Sequence, residues 1–234
     1  MLQQITPQLW IAQQPQKFFG LEVGTKMSVI ALGNGELVLI SPIKLDNAIA
    51  EINALGRVKY IIAPNLFHHL YLEECHKIYP DALTVTPPGL QEKIGIQSSL
   101  VFTEDEIDFN GELEYFLFAG FAVPLPTGIK EVNEVVFFHR ASKTLIVTDL
   151  AFYFDDSFPV VTQFASRVLG CYQKLRPSIL EKLVIKDKEA VANSINRLLQ
   201  WDFQRVVVAH GTIVEENAKQ QLKEGYEWFL TRQL

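Results

Sequence analysis

The sequence predicts an α+β chain of two mixed β-sheets covered by helices, and three observations point to that class. First, three β-prone runs end on groups able to bind a metal or move a proton: Val58–Ala63 leads to His68 and His69, Thr144–Thr148 to Asp149, and Val206–Ala209 to His210. Strand ends thus converge on one place. Second, β and α patterns alternate from the N-terminus to Pro87-Pro88-Gly89. Third, between Val101 and Gly128 apolar residues such as Phe102, Ile107, Phe109, Leu113, Tyr115 and Leu117 fall mostly at period two among acidic residues and turn formers, the mark of antiparallel strands.

In order, strands are expected at Leu9–Gln13, Met27–Leu32 and Glu36–Ser41, the last two joined by Gly33-Asn34-Gly35, whose residues tolerate the positive φ of a hairpin turn. Pro42 ends the third strand, and Leu45, Ile49, Ile52 and Leu55 recur at helical spacing until Gly56. A short helix over Leu70–Tyr79 closes at Pro80, and a strand follows at Ala82–Val85. Glu134–His139 and Thr144–Thr148 flank Arg140-Ala-Ser-Lys143 as a second hairpin. Helices are expected at Val160–Tyr172 and, after Asp187 as N-cap, through Val191, Ile195, Leu198 and Leu199. A final strand leads to His210-Gly211 and a terminal helix carrying Val214, Ala218, Leu222 and Phe229 on one side.

Composition limits what such a chain does. Its 234 residues suffice for one packed domain, and 48% apolar with 21% charged residues is the profile of a globular protein. A formal charge of −6 with no lysine or arginine block argues against nucleic acid and anionic membranes as partners. Cys75 and Cys171 have no paired spacing, so neither a disulfide framework nor a zinc knuckle is indicated. Met1–Pro7 lacks a basic head and a long apolar run, so the expected location is the cytoplasm and the expected partner an unknown small molecule.

The order of these elements resembles the metallo-β-lactamase superfamily across nearly the whole chain, and within it a branch with a degenerate metal motif. That resemblance implies a single domain over residues 1–234, a four-layer αββα sandwich with its site at one edge between the sheets. The family signature His-x-His-x-Asp-His lies over Pro64-Asn-Leu-Phe-His-His69. Pro64 and Leu66 then stand where the first two histidines belong, His68 replaces the aspartate and His69 matches the last histidine. Asp149 matches the bridging aspartate and His210 the final histidine. Lys130, or Thr127 in a shifted register, stands at the remaining histidine, and Ser41 replaces the aspartate usual at the end of the third strand.

Of the family's two-metal centre, the resemblance therefore implies loss of the first site and survival of the second, with His68, His69, Asp149 and His210 as ligands. Three imidazoles and one carboxylate suit one Zn²⁺, with Fe²⁺ or Mn²⁺ as alternatives and a metal-free chain as the remaining reading. Four side chains on one Zn²⁺ would fill its tetrahedron, so turnover would need His68 to stand off as an acid/base, with Asp149 as the other residue on which it depends. Strand rise removes His139 from any shared ion, helix rise removes His76, and Cys75 is expected to be packed. Phe67, Phe152, Tyr153 and Phe154 are candidates for a pocket wall or for the core.

Three functions stay open: a metal-dependent hydrolase of an ester, thioester, amide or phosphoester; a non-catalytic member of the fold that binds a small molecule or a protein partner; and an iron-based oxidoreductase or sensor. Ligands converging within bonding reach favour the first and third. A cleft plugged by Leu66 and Lys130 favours the second.

Overall fold

A computed structural model describes residues 1–46, 48–103, 107–125, 128–131, 134–183 and 185–234. Strands β1 (Gln3–Thr6) and β2 (Leu9–Gln14), a short hairpin of β3 (Lys17–Phe18) and β4 (Leu21–Glu22), β5 (Thr25–Ala31) and β6 (Glu36–Ile40) precede helix α1 (Ile49–Leu55). Next come β7 (Arg57–Ile62), α2 (Leu72–Ile78), β8 (Leu83–Thr86), α3 (Leu90–Ile94) and β9 (Leu100–Val101). The second half holds β10 (Leu113–Phe118), β11 (Ala122–Leu125), β12 (Gly128–Glu131), β13 (Glu134–His139), β14 (Thr144–Val147) and α4 (Val160–Leu169). A 3₁₀ turn over Ile179–Leu183 leads to α5 (Lys188–Leu198), β15 (Arg205–Val208) and α6 (Ala218–Leu230).

Both large sheets are mixed. One runs β1-β2-β5-β6-β7-β8-β9, antiparallel up to β6 and parallel beyond it. The other runs β10-β13-β14-β15, with only the β14–β15 pair parallel. Side-chain alternation turns these sheets into layers, since successive residues of a strand face opposite sides. Val135 and Phe137 of β13 pack with Ile30, Val38, Ile62 and Val85 of the first sheet, whereas Val136 and Phe138 pack with Val191, Ile195 and Leu222 of α5 and α6. On the far side of the first sheet, Val29, Leu39 and Ile61 meet Ile52 of α1, Leu72 and Cys75 of α2 and Leu90 of α3. Three apolar seams between four layers give the αββα sandwich.

Local chemistry explains the element ends. The Asp187 side chain accepts from the Glu189 and Ala190 amides at 2.9 and 3.0 Å, the N-cap expected of it and worth about 1 kcal/mol. Four expectations need correction. Helix α1 begins at Ile49 rather than Leu45, which is buried in the loop before it. Helix α4 stops at Leu169 because Gly170 takes a left-handed φ of 89°. Val214 does not lie on the terminal helix but bridges back to Val206. Strand β1 and the β3–β4 hairpin were not anticipated: Gln3–Thr6 is largely polar, and β3 and β4 are two residues each, too short for periodicity to register. Among the described residues, no helix is long and apolar enough to cross a membrane.

Candidate metal centre

Four strands deliver the site from their C-terminal ends: β6 gives Ser41, β7 the loop with Asn65 and His68, β14 Asp149 and β15 His210. The two sheets are pinned together here, since the Val135 amide at the head of β13 donates to the Pro64 carbonyl at 2.8 Å. Among the described residues, His68, Asp149 and His210 each offer a ligand atom within 4.8 Å of the other two. Nε2 of His68 lies 3.4 Å and Nε2 of His210 3.6 Å from the same Asp149 Oδ1. The imidazoles are nearly covered, at 7% and 11% side-chain exposure, whereas the carboxylate is 30% exposed toward the cleft.

Each ring is aimed by its other nitrogen. His210 Nδ1 lies 2.5 Å from the Gly24 carbonyl, which can only accept, so the ring proton sits on Nδ1 and Nε2 presents a lone pair. His68 Nδ1 lies 2.8 Å from Ser41 Oγ. Ser41 holds that pose from a left-handed φ of 60°, a conformation that costs a β-carbon-bearing residue about 1 kcal/mol or more and that recurs at functional positions. Gly211, at φ 110°, allows the backbone beside His210 to run against Tyr153, whose carbonyl would be 2.2 Å from an added Cβ. The buried Lys26 Nζ reaches across to the Gly211 carbonyl and ties this loop to the first sheet.

Asp149 is held by a buried polar network. Asn65, fully buried, donates from Nδ2 to Asp149 Oδ2 at 2.8 Å and to Thr148 Oγ1 at 2.9 Å, with Glu134 Oε2 at 3.2 Å, and accepts from the Phe67 and His68 amides at 2.8 and 2.9 Å. Glu134, 2% exposed, accepts from the Thr148 amide at 2.6 Å and the Asp149 amide at 2.7 Å. Burial and the neighbouring Asp149 push the Glu134 carboxyl up to about 7. Desolvation would raise Asp149 as well, but His68, then His210 and Asn65, hold it well below the usual carboxylate range. Burial pulls His68 down, yet Asp149 and Glu134 outweigh it and leave His68 raised, whereas burial lowers His210 to about 4. His210 is therefore neutral near pH 7, and its Nε2 lone pair faces a carboxylate oxygen with no proton between them. A cation there satisfies both, so the donor set fits a metal ion.

His69 does not join the group. Its neighbour His68 turns into the site, whereas His69 sits half-buried near Lys93, and its carbonyl accepts the Leu72 amide at the start of α2. Three of the four expected ligands thus converge among the described residues, with His69 outside that group. Leu66 is buried in the outer core of the first sheet. Thr127 and the side chain of Lys130 lie outside the described residues. His139 is the buried end of β13, bonded to Ser142 Oγ at 2.7 Å, and Cys75 is packed as expected. Phe67, Phe152 and Phe154 line the cleft, while Tyr153 packs against the α5–α6 core.

The triad opens on a cleft of about 430 Å³ bounded by the β3–β4 hairpin, α4 and the 3₁₀ turn. Sequence reasoning missed Glu181, a cleft residue whose Oε2 is buried without a hydrogen-bond partner among the described residues and whose carboxyl is pushed up to about 7, chiefly by burial. It also missed Asn65 and Glu134. A legible signal existed for Glu134, an acid at the head of the otherwise apolar Glu134–Phe138 run. Cys171 also lines the cleft, but burial raises its thiol to about 12, too high for a nucleophile.

The Glu181 shift makes a stability prediction. A carboxyl raised in the fold stabilises fully below its ordinary value near 4.5, and that contribution is lost as pH rises through about 7. Glu181→Gln is therefore expected to gain stability relative to the parent between pH 4 and pH 8, by roughly 2 kcal/mol after discounting for partial burial. Urea unfolding at both pH values checks this, and a difference that stays flat with pH contradicts it.

Comparison with known proteins agrees with this architecture. A family model described as "Domain of unknown function (DUF4336)" matches residues 6–176. No curated protein matches the sequence. Among solved structures, a metallo-beta-lactamase from Pontibacter korlensis superposes with a TM-score of 0.65 at 16% identity, over 94% of this chain and 95% of that one. A metallo-beta-lactamase from Hirschia baltica gives 0.63 at 14% identity, over 100% and 98%. The metal-soaked Flv1 flavodiiron core from Synechocystis sp. PCC6803 gives 0.66 at 13%, over 99% of this chain and 60% of that one. At such identities the likeness establishes the metallo-β-lactamase fold and no activity.

Proposed function

Because the chain belongs to the family described as Domain of unknown function (DUF4336) and carries the metallo-β-lactamase fold, we propose that it is a mononuclear metal-dependent hydrolase, with His68, Asp149 and His210 holding one divalent ion, zinc first. One observation carries this reading: the His210 Nε2 lone pair and Asp149 Oδ1 face each other at 3.6 Å with His68 Nε2 beside them, two acceptors that need a cation between them. Three protein ligands leave an open position, whereas four would close the shell. When bound, such an ion supplies Lewis acidity that polarises a carbonyl and acidifies a water.

The chain's own residues do the rest. Ser41 and the Gly24 carbonyl fix the two rings, and Asn65 and Glu134 fix the carboxylate, as outer groups do around metal ligands. Glu181, titrating near neutrality, is the cleft group able to exchange a proton with a substrate. Leu66, packed in the outer core, is not among the cleft-lining residues, which favours a reactive over a plugged cleft.

Metal analysis of chelator-free protein is expected to find one ion per chain, with zinc, iron and manganese measured together because two imidazoles and a carboxylate also suit Fe²⁺. The zinc-loaded protein is expected to hydrolyse a neutral ester, and His210→Ala to lose that activity. Two ions per chain, or none after adding all three metals, overturns the reading.

A further inference from the structure

The cleft in front of the triad is unusual in its charge. Its described lining includes the carboxyls of Glu134, Asp149 and Glu181 and not one lysine or arginine. Nearby cations are committed elsewhere: Lys26 to the Gly211 carbonyl, Lys93 to the Leu66 carbonyl, and Lys182 over the Trp228 ring at 4.1 Å. In the metal-free cleft a phosphate, sulfate or carboxylate would meet carboxyl groups and no lysine or arginine of the described lining. A permanent cation is poorly matched too. Glu134 is enclosed by its own hydrogen bonds, Asp149 is shared by two imidazoles, and Glu181, whose carboxyl is pushed up to about 7, is mostly protonated at pH 6.

What the cleft offers in quantity is apolar surface. Four of the large apolar side chains left open to solvent, Phe18 at 54%, Phe67 at 43%, Leu70 at 68% and Leu180 at 40%, belong to its wall. Covering such surface is worth about 25 cal/mol per Å², and a cleft of about 430 Å³ has the size of a small-molecule site. Polar recognition is confined to one end, where Glu181 presents a buried carboxyl oxygen with no hydrogen-bond partner among the described residues. That oxygen lacks a bond that a ligand hydroxyl or amide N–H would supply.

We propose that this cleft binds a neutral, largely apolar molecule, its apolar body along the wall formed by the β3–β4 hairpin and α4 and its one polar group at the Glu181 end. Under the hydrolase reading, on which only this corollary rests, the substrate is an uncharged ester or amide with an apolar acyl or aromatic part. Water adds its oxygen to the acyl carbon, the carbonyl carbon–heteroatom bond breaks, and the departing alcohol or amine takes the proton.

Calorimetric titration of metal-free protein at pH 6, where Glu181 is mostly protonated, with 1-decanol, decanoate and decylamine tests the proposal without reference to turnover. Decanol is expected to bind at least tenfold more tightly than decanoate or decylamine. Ala165→Trp, which fills the α4 side of the cleft from a partly exposed helix position, is expected to weaken decanol at least tenfold with an unchanged melting temperature. Equal or tighter binding of decanoate overturns the proposal, as does preferred binding of decylamine. So does full decanol affinity in a folded Ala165→Trp protein, or no decanol binding by the parent. Decanol binding by a protein that takes up no metal leaves this proposal standing and removes the hydrolase.

Discussion

Glu134→Ala is expected to lose about 3–5 kcal/mol of folding stability, a large share of what a domain of this size possesses. The deleted carboxylate accepts the Thr148 and Asp149 amides at 2.6 and 2.7 Å. Each buried N–H left without a partner costs about 1–3 kcal/mol, and the space vacated by the side chain adds a cavity term. Against this stands the relief of burying a carboxyl whose titration is pushed up to about 7, which shows that the group is held at a cost. The two orphaned amides and the cavity outweigh that relief, because they persist whatever the protonation state. Glu134→Gln discriminates: its amide oxygen keeps one of the two bonds while its NH₂ opposes the other donor, so a smaller loss of about 1–3 kcal/mol follows. Since the same bonds set the chain direction at Asp149, both variants should also weaken metal binding, Glu134→Ala by about 10–100-fold. Urea unfolding and zinc titration read the two effects, and an alanine variant within about 0.5 kcal/mol of the parent would show the network to be ornamental.

The parts of this fold that were legible in the sequence are those with a period. Val206–Val208, Thr144–Val147 and Glu36–Ile40 are runs that no helix or loop would favour, and their order with Asp149 and His210 at the ends carried the architecture. The helix register of Val191, Ile195 and Leu198 placed the outer face of the second sheet for the same reason. Direction within a turn has no period. His68 and His69 are chemically identical neighbours, and their division follows contacts made by His68 alone: Ser41, 27 positions away, meets one ring nitrogen, and the nearby Asn65 side chain accepts from the backbone amide. Asn65 stands in the sequence only as a spacer of the motif, although in the fold it touches two carboxyls 69 and 84 positions away. Long-range polar pairing of this kind leaves no local trace. Glu181 was invisible for another reason: its significance lies in the missing partner of one oxygen, a property of the packed cleft alone.

That division between neighbouring histidines gives the sharpest test of the centre. In the parent, zinc at about one hundred times its dissociation constant adds about 2.7 kcal/mol of stability, which for a chain of this length raises the melting temperature by roughly 5–10 °C. Asp149→Asn keeps the shape of the side chain but removes the negative charge of the triad, and is expected to weaken the ion at least 100-fold. At the same zinc concentration the gain then falls to about 0.4 kcal/mol, within the error of a melting curve. The metal-free variant has its own signature. Asp149 is depressed, so its contribution is present above its ordinary value and lost as pH falls; His68 is raised, so its contribution is present below 6.5 and lost as pH rises. The two overlap at mildly acidic pH, and there Asp149→Asn should lose most stability, by about 2–3 kcal/mol, since the freed imidazole escapes part of the cost by losing its proton. His69→Ala, whose ring lies outside the triad, should keep the full zinc-induced rise. A His69→Ala protein that loses that rise as completely as Asp149→Asn would restore the four-ligand reading and close the open position that the proposed hydrolysis requires.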